Sequence, residues 1–582
     1  MKYPRLYEME SGRQMIDAFR GYNHNLRIGD GEFFDMENMT SDYYPVLSPR
    51  RKRGVYAAPN KPTGLIAKDS LCYVDGSEFV MNEYRIEMGL SDEPKQLISM
   101  GAYVIIMPDK KYINTAYLSD YGDIEASFTS TTDVTFQLCT RDAELYTNVT
   151  TSAVEPASPS NLDLWIDTST TPNTLKKYSS SSAVWVAIPT TYIKISATGI
   201  GKSFEQYDGV TISGIVLENL KQINGTMPIW SRGDDFIVVV GILSGEVTQT
   251  LAEGAIKVER KMPNLDYITE SENRLWGCRY GVALNGDIVN EIYACKLGDF
   301  KNWNCFMGVS TDSYVASCGT DGQFTGAITH LGYPLFFKET CLHKVYGNFP
   351  SNFQIQTTTC RGVQKGCERS LAIVNEVLYY KARSGVCAYD GSLPVEISSA
   401  LGEVNYNDAV AGGHGNKYYI SMRSDTDSLY HLFVYDAAKN MWHKEDNLHA
   451  DAFCSCRGEM YCIDHNTNKI ITMLSSGEQG EEFVEWMVQT GDIGITSPDM
   501  KYVSRINVRM VIDIGAEMQF FAQYDFDDEW IPLFTLVGSN LRSFSLPIRP
   551  KRCDNMRLRI VGKGNGKVYS YTKTIEQGSD IS

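Results

Sequence analysis

A repeat of about 42 residues constrains the fold of this chain more than any other feature of its sequence. Four similar segments begin at Leu331, Asn375, Asn416 and Gly458, and their starts are 44, 41 and 42 residues apart. Each segment opens with a glycine or asparagine turn and continues into an aromatic strand, as in NEVLYY. A period near 42 with four short strands per unit is typical of β-propeller blades. The alternative is an ordinary β-sandwich whose hairpins are evenly spaced.

Length and composition favour an all-β protein of several domains. The chain has 582 residues, which is too many for a single hydrophobic core. Strand-forming residues dominate, with 35 tyrosines, and the one segment with a helical pattern is short, around Glu8 to Phe19. We therefore predict a six- or seven-bladed β-propeller with an inserted small β domain and a C-terminal domain that resembles a β-sandwich.

Changes of sequence character along the chain predict five regions. Residues 117–262 are rich in serine and threonine, and after residue 485 polar and apolar residues alternate as in a half-exposed antiparallel sheet. The predicted regions are an N-terminal arm (1–55), the first part of the propeller (56–116), one or two inserted β domains (117–262), the main part of the propeller (263–484) and a C-terminal β-sandwich (485–582). The first propeller strand often completes the last blade, so we expect the N-terminal part to be tied to the region near residue 480.

The charge of the chain argues against tight DNA binding. The net charge is −17 and the isoelectric point is about 5.1, whereas wrapping around DNA requires clustered lysine and arginine. An acidic surface is compatible with a channel through which DNA slides. One basic cluster, Arg50, Arg51, Lys52 and Arg53, would contact phosphate in a nucleic-acid interpretation. We favour a solvated strand end or an acidic partner, because four charges alone are a weak signal.

No motif of a known enzyme is present in the sequence. It contains no GxSxG elbow, Walker loop, HExxH sequence or EF-hand loop. The segment nearest to a sialidase box, SCGTDGQFTG, lacks the tryptophan and the spacing. We predict that the chain is not an enzyme and uses no cofactor, with a glycan-degrading propeller enzyme as the third functional hypothesis.

One cysteine-rich segment is a weak candidate metal site. Cys454, Cys456, Cys462 and His465 lie within FCSCRGEMYCIDH. Cys454 and Cys456 would face the same side of a strand, and a hairpin through Arg457-Gly458 would bring Cys462 across from them. Three thiolates and an imidazole suit structural zinc, but C-x-C on a strand is less apt than C-x₂-C. Buried reduced cysteines are the favoured alternative, and the remaining histidines are too spread in register to form one evident site.

Two tryptophans in the insertion are candidate contact residues. Trp165 and Trp185 lie in Pro156–Ile188, which has the pattern of a small hairpin module. We expect both to be exposed. Exposed tryptophans of this kind would stack on sugar rings, or they would anchor the hairpin or a subunit contact, which is more common.

The sequence carries no segment that predicts export or membrane insertion. The N-terminus has no apolar core of a signal peptide, and no run of 18 apolar residues is present. Fourteen cysteines are scattered through strand patterns, which favours reduced core thiols in a protein made in the cytoplasm.

Three segments of the chain resemble the β-propeller virion proteins of tailed bacteriophages and prophages. They are SDYYPVLSPRRKRG, ending at Gly54, ENRLWGCRYG with NEIYACKLGDFKNW (Glu272–Trp303), and the segment His343–Ser398. The module LWIDTSTTPNTLKKY, beginning at Leu164, is also similar to inserts of phage tail and fibre proteins. The resemblance covers about three quarters of the chain, and its motifs are structural.

This resemblance implies a structural role in the virion tail. In such families several copies form a ring below the portal, as a nozzle or head–tail connector that retains the genome and provides the exit channel during DNA ejection. The implied partners are further copies of the chain, portal, adaptor or other tail proteins, and genomic DNA that passes without sequence-specific binding. The implied location is the virion, after synthesis in the host cytoplasm. The alternative is a distal-tail receptor-recognition protein that binds host surface glycans through the inserted domain.

Overall fold

The computed structural model describes residues 11–283, 286–475, 480–495, 500–527 and 529–577, and it is almost entirely β-structure. Strands make up 53% of it and helices 3%. Five short 3₁₀ helices occur in these ranges: Glu218–Ile223, Leu251–Glu253, Pro350–Asn352, Glu368–Ser370 and Ser399–Leu401. No helix among the described residues has the length and apolar character that crossing a membrane requires.

The chain divides into two compact units. The described residues of the first unit lie within 1–95, 336–342 and 357–582, and those of the second unit within 96–335 and 343–356. Six short strands open the chain: β1 (Ser11–Ile16), β2 (Gly21–Tyr22), β3 (Glu32–Glu37), β4 (Met39–Thr40), β5 (Ser48–Pro49) and β6 (Gly54–Ala57). The helical segment predicted around Glu8 to Phe19 is therefore wrong where it is described, since β1 occupies most of it; residues 8–10 lie outside the described residues.

Four-stranded meander sheets account for most of the remaining chain. The first two are β7 (Pro62–Ala67), β8 (Leu71–Asp75), β9 (Glu78–Met81) and β10 (Tyr84–Glu87) in the first unit, and β11 (Gln96–Met100), β12 (Tyr103–Met107), β13 (Lys111–Asn114) and β14 (Tyr121–Asp123) in the second. Consecutive strands pair antiparallel through tight turns, as the alternation of strand and turn residues dictates.

The insertion in the second unit forms three small sheets. Its strands are β15 (Ala126–Thr129), β16 (Val134–Cys139), β17 (Val149–Ser152), β18 (Leu164–Asp167), β19 (Thr174–Ser179), β20 (Val184–Ala187), β21 (Tyr192–Ser196), β22 (Gly209–Ser213), β23 (Gly225–Pro228), β24 (Ser231–Gly233), β25 (Phe236–Val240), β26 (Val247–Gln249) and β27 (Lys257–Arg260). The sheet orders are β15-β27-β22-β23, β24-β25-β21-β16-β26 and β17-β18-β19-β20. The predicted range 117–262 also includes β14, which pairs with β13 in the preceding meander.

The meander pattern resumes after the insertion and continues to residue 472. The strands are β28 (Tyr267–Ser271), β29 (Arg274–Val282), β30 (Ile288–Ala294), β31 (Tyr314–Ser317), β32 (Gly326–His330), β33 (Tyr333–Lys338), β34 (Cys341–Tyr346), β35 (Gln354–Thr359), β36 (Ala372–Val374), β37 (Val377–Lys381), β38 (Val386–Tyr389), β39 (Val395–Glu396), β40 (Tyr406–His414), β41 (Lys417–Ser424), β42 (Tyr430–Asp436), β43 (Met441–Lys444), β44 (Ala450–Cys456), β45 (Glu459–Asp464) and β46 (Lys469–Thr472). They form successive sheets of four, and the last of these takes its fourth strand from β6.

The 42-residue repeat of the sequence coincides with these sheets. The four repeat segments contain β33, β37, β41 and β45, each of which is the second strand of its meander. Seven such sheets lie within the described residues when β40–β43 and the sheet completed by β6 are included. The predicted all-β, propeller-like fold is confirmed, and the pairing explains the period: each repeat is one blade.

The strand β6 completes the last of these sheets, as the sequence predicted for the N-terminal part. It pairs antiparallel with β46, with Gly54 opposite Thr472 and Ala57 opposite Ile470. All four residues belong to the first unit.

The C-terminal strands are continuous with the N-terminal arm. They are β47 (Glu485–Thr490), β48 (Lys501–Tyr524), β49 (Ile531–Ser545), β50 (Met556–Lys563) and β51 (Gly566–Gln577). The sheet order is β1-β51-β48-β50-β47-β3-β2-β43, and β49 pairs with β48. The region predicted as a separate β-sandwich thus shares one sheet with β1–β3, and through β2 it continues into the meander β40–β43.

Candidate functional site

The small sheet β17–β20 holds the two tryptophans of the insertion. Trp165 lies on β18, where it is only 5% exposed, and its indole nitrogen donates to the carbonyl oxygen of Ser152 at 3.0 Å. Its ring packs edge-on against Trp185 with centroids 5.4 Å apart, and the ammonium group of Lys176 lies 4.7 Å from the Trp165 ring centroid. The expectation that Trp165 is exposed is therefore wrong, because its faces are covered by the module itself.

Trp185 is the more accessible of the pair. It is half-buried on β20, and its ring lies 5.3 Å from that of Tyr178. The two tryptophans are brought together, but as the anchor of a hairpin module. This arrangement matches the structural alternative for the pair better than a platform on which a sugar ring would stack.

The cysteine-rich segment does not bring the ligands of its weak candidate metal site together. Phe453 stands opposite Cys462 in the β44–β45 pairing, so Cys462 shares the face of Phe453, while Cys454 and Cys456 lie on the other face. Burial raises the pKa of Cys454 to about 12. The candidate cluster of Cys454, Cys456, Cys462 and His465 is therefore wrong: Cys454 and Cys456 share one face of the sheet, as predicted, but Cys462 lies on the opposite face. Twelve of the fourteen cysteines are buried, as expected for thiols that pack in the core.

Half of the basic cluster at residues 50–53 is buried in an internal ion-pair network. The guanidinium group of Arg50 donates to both carboxylate oxygens of Glu481, each at 2.7 Å. The guanidinium group of Arg53 donates to Asp446 and Glu445, each at 2.6 Å. Both arginines are 7% exposed. The acidic partner expected for this cluster thus lies within the chain, in the segments that precede β44 and β47.

The remaining residues of the cluster face solvent. The side chain of Arg51 is 60% exposed and its Nε lies 3.6 Å from Asp42. Lys52 is exposed, with its ammonium 5.6 Å from the ring centroid of Phe483. Only Arg51 and Lys52 of the four basic residues are therefore accessible to another molecule, which argues against the interpretation that this cluster binds the phosphates of a nucleic acid.

A long edge strand of the first unit is a candidate surface for contact with another chain. The fifteen-residue β49 pairs with β48 along one side, and within the described ranges no strand pairs with its other side. Apolar side chains along it are exposed, including Val537 at 61% and Leu541 at 45%. We call β49 and these side chains the β49 edge. An unpaired strand of this length presents a row of backbone donors and acceptors to another chain.

A cavity of about 340 Å³ lies within the first unit. Its lining combines cations and carboxylates, among them Lys381, Arg383, Glu396 and Glu403. The ammonium of Lys381 donates to Gln364 Oε1 at 2.8 Å, and burial lowers its pKa. The cavity has room for a small polar ligand and offers it charges of both signs.

No family model and no curated protein matches this chain. Solved structures to which it is similar include an exo-β-1,3-galactanase from Phanerochaete chrysosporium, at 8% identity and a TM-score of 0.20, covering 53% of this chain and 94% of that chain. A glycoside hydrolase family 43 arabinoxylan arabinofuranohydrolase from Bacillus subtilis matches at 10% identity and a TM-score of 0.18, covering 52% and 94%. A Trypanosoma rangeli sialidase matches at 8% identity and a TM-score of 0.19, covering 90% and 95%.

These neighbours correct one prediction. The sequence led us to predict that the chain is not an enzyme, whereas the solved structures that it is similar to are glycoside hydrolases and a sialidase. The exclusion of an enzyme is therefore withdrawn. The low identities and TM-scores assign no activity or substrate to this chain.

Proposed function

We propose that this chain is a structural subunit of a tailed-phage virion, in which several copies form a ring in the tail below the portal. The ring would act as a nozzle that retains the genome and provides its exit channel. The proposal follows the sequence resemblance to phage propeller proteins. The structural observation that carries it is the β49 edge, which suits contact with a second copy of the chain.

The β49 edge has the properties of a surface that another protein covers. Natural proteins protect long edge strands with charges, prolines or a covering segment, because an open edge recruits other strands. Here the exposed positions Val537 and Leu541 are apolar, and Ile514 in the neighbouring β48 is fully exposed. Exposed apolar residues next to unpaired backbone groups mark an interaction site.

The distribution of charge supports contact with a second copy of the chain at this surface. Residues 485–582 contain twelve basic and twelve acidic residues, so the net charge of −17 arises in the remainder of the chain. Copies that meet through a neutral region avoid the mutual repulsion of their acidic parts. Those acidic parts would in turn let DNA pass without tight binding, since tight binding requires clustered cations.

The oligomeric state of the purified chain tests this proposal. We expect the wild-type protein, alone or with portal and adaptor proteins, to form a closed oligomer in analytical ultracentrifugation. Val537→Asp and Leu541→Asp should weaken that assembly, because each places a charge in the covered surface. Val282→Asp is the matched control, since Val282 is 69% exposed on β29 of the second unit.

Two results would contradict the proposal. A chain that remains monomeric in every partner mixture would remove its main support, and so would an oligomer that Val537→Asp and Leu541→Asp leave unchanged. Cryo-electron microscopy of whole particles then tests the location: density between portal and tail end supports a nozzle. Density only at the distal tip, together with glycan binding by the insertion, would favour a receptor-recognition protein instead.

A further inference from the structure

Three side chains able to bind a metal ion meet at one end of the β44–β45 hairpin. His449 precedes β44, Asp451 is the second residue of β44, and His465 follows β45. Their potential ligand atoms all lie within 4.8 Å of one another. Nδ1 of His465 is 3.0 Å from an oxygen of Asp451, and the two imidazole centroids are 4.0 Å apart.

The backbone explains why these three residues converge. The ladder between β44 and β45 shifts register by one residue between Ala450 and Ala452, so Asp451 is the extra residue of a β-bulge. Bulges re-aim a side chain and are common beside functional sites. Beyond the bulge, the amide of His465 donates to the carbonyl oxygen of His449 at 2.9 Å, which fixes the two histidines opposite each other.

A neighbouring tyrosine holds one of the imidazoles in place. The ring of Tyr430 stacks on that of His449, with centroids 3.5 Å apart and planes inclined by 10°. The hydroxyl of Tyr430 in turn donates to Asp408. The stacked and hydrogen-bonded tyrosine therefore restricts the rotation of the His449 imidazole.

The local charges favour a cation. Besides Asp451, the carboxylates of Asp408 and Asp464 act on His449. The guanidinium of Arg369 also lies at the cluster, where its Nη1 donates to the carbonyl oxygen of Asp451 at 3.1 Å.

We propose that His449, Asp451 and His465 bind a divalent transition-metal ion of the zinc class. Zinc commonly binds imidazole nitrogens and carboxylate oxygens, at metal–ligand distances of roughly 2.0–2.2 Å. The ion would replace the proton between His465 and Asp451. Three protein ligands leave a fourth position for water. The site is independent of the proposed role in the tail, and it would join the two open ends of the hairpin.

Equilibrium dialysis of the full chain against Zn²⁺ tests the site directly. We expect one ion per chain, and at least a tenfold loss of affinity in His465→Ala and in Asp451→Asn. His465 has a half-exposed side chain, and Asp451→Asn preserves shape, so both variants should keep the melting temperature of the metal-free protein. His414→Ala is the matched control, because His414 pairs with Ser455 outside the cluster, and it should bind as the wild type does.

Cobalt absorption separates this site from the fourteen thiols. Co²⁺ bound by nitrogen and oxygen gives visible bands without a thiolate-to-metal charge-transfer band. We expect such a spectrum for the wild type and its loss in Asp451→Asn. The proposal is overturned if no ion binds at millimolar Zn²⁺, if the two variants bind as tightly as the wild type, or if the cobalt spectrum shows thiolate ligation.

Discussion

Replacing Arg53 with methionine should open the strand that completes the last blade. The guanidinium of Arg53 is buried and lies 2.6 Å from both Glu445 and Asp446. Removing one partner of a buried ion pair lowers the stability of the fold by about 3–5 kcal/mol, because the remaining charge stays buried without a partner. Arg50 remains 3.8 Å from Glu445 and 3.7 Å from Asp446, and its positive charge reduces the loss of stability. We therefore expect about 3 kcal/mol, the lower end of that range.

Hydrogen exchange of the β6 amides measures this local effect in a chain too large for two-state unfolding. A loss of about 3 kcal/mol corresponds to a fall in protection of roughly 100-fold. Arg51→Met is the control from the same basic cluster. Its side chain is exposed and 3.6 Å from Asp42, and such surface pairs contribute about 0–1 kcal/mol. Equal protection of β6 in the Arg53→Met and Arg51→Met proteins would refute the argument.

The acid stability of β6 gives a second readout of the same network. Burial alone would raise the pKa of Asp446, but the guanidinium groups of Arg53 and Arg50 outweigh it and hold that pKa below its usual value. A carboxylate with a lowered folded-state pKa stabilises the fold above its unfolded pKa, about 3.9, and loses that contribution as the pH falls through the folded value. We expect β6 protection to decline below about pH 4 in the wild type. The triple variant Arg53→Met, Glu445→Gln, Asp446→Asn should be less sensitive and should recover part of the lost stability.

Three further predictions concern other parts of the chain. Gly562→Ala should destabilise the C-terminal sheet by about 1–3 kcal/mol, because a Cβ there would lie 2.0 Å from the Trp486 ring. The control is Gly281→Ala, where a Cβ meets nothing within 4 Å. The melting temperatures of the two variants measure the difference. Trp165→Ala should lower the stability of the β17–β20 sheet by about 3–5 kcal/mol, which would appear as faster hydrogen exchange in β18–β20. Unchanged exchange in these strands would refute this prediction. Burial lowers the pKa of His443 to about 3, so stability should fall as the pH drops below about 6.5, and His443→Gln should flatten that dependence in melting curves from pH 7 to 5.

The blade pattern could be predicted from sequence because it is local. Each repeat segment carries its own turn and its own aromatic strand, as at Asn375 and Gly458, and the period follows from counting. Pairings between distant segments carry no such signal. The pairing of β3 with β47 joins residues separated by 450 or more positions, and alternating polarity alone does not say which strand lies beside which. The C-terminal strands were therefore predicted as a separate domain although they share a sheet with the arm.

The candidate metal cluster shows where sequence reasoning about a site stops. The hairpin through Arg457-Gly458 was predicted correctly, and it places the residues near 449 opposite those near 465. The bulge at Asp451 then shifts the register by one residue, which brings His449 opposite His465 and turns the carboxylate toward them. A bulge leaves no mark in a single sequence, so the weak candidate named from sequence combined His465 with nearby cysteines, and buried reduced thiols were favoured over a metal site there.

The ion pairs at residues 50–53 stabilise the short strand that completes the last blade. The strand β6 has four residues and pairs with β46 at three positions, and backbone hydrogen bonds contribute only about 0.5–1.5 kcal/mol each. Such a strand can leave its sheet unless other contacts hold the segment that precedes it. Arg50 and Arg53 supply those contacts, to Glu481 and to Glu445 and Asp446. An acidic chain therefore carries a basic cluster beside β6 because its own carboxylates are the partners, and the cluster fixes the N-terminal arm to the blade.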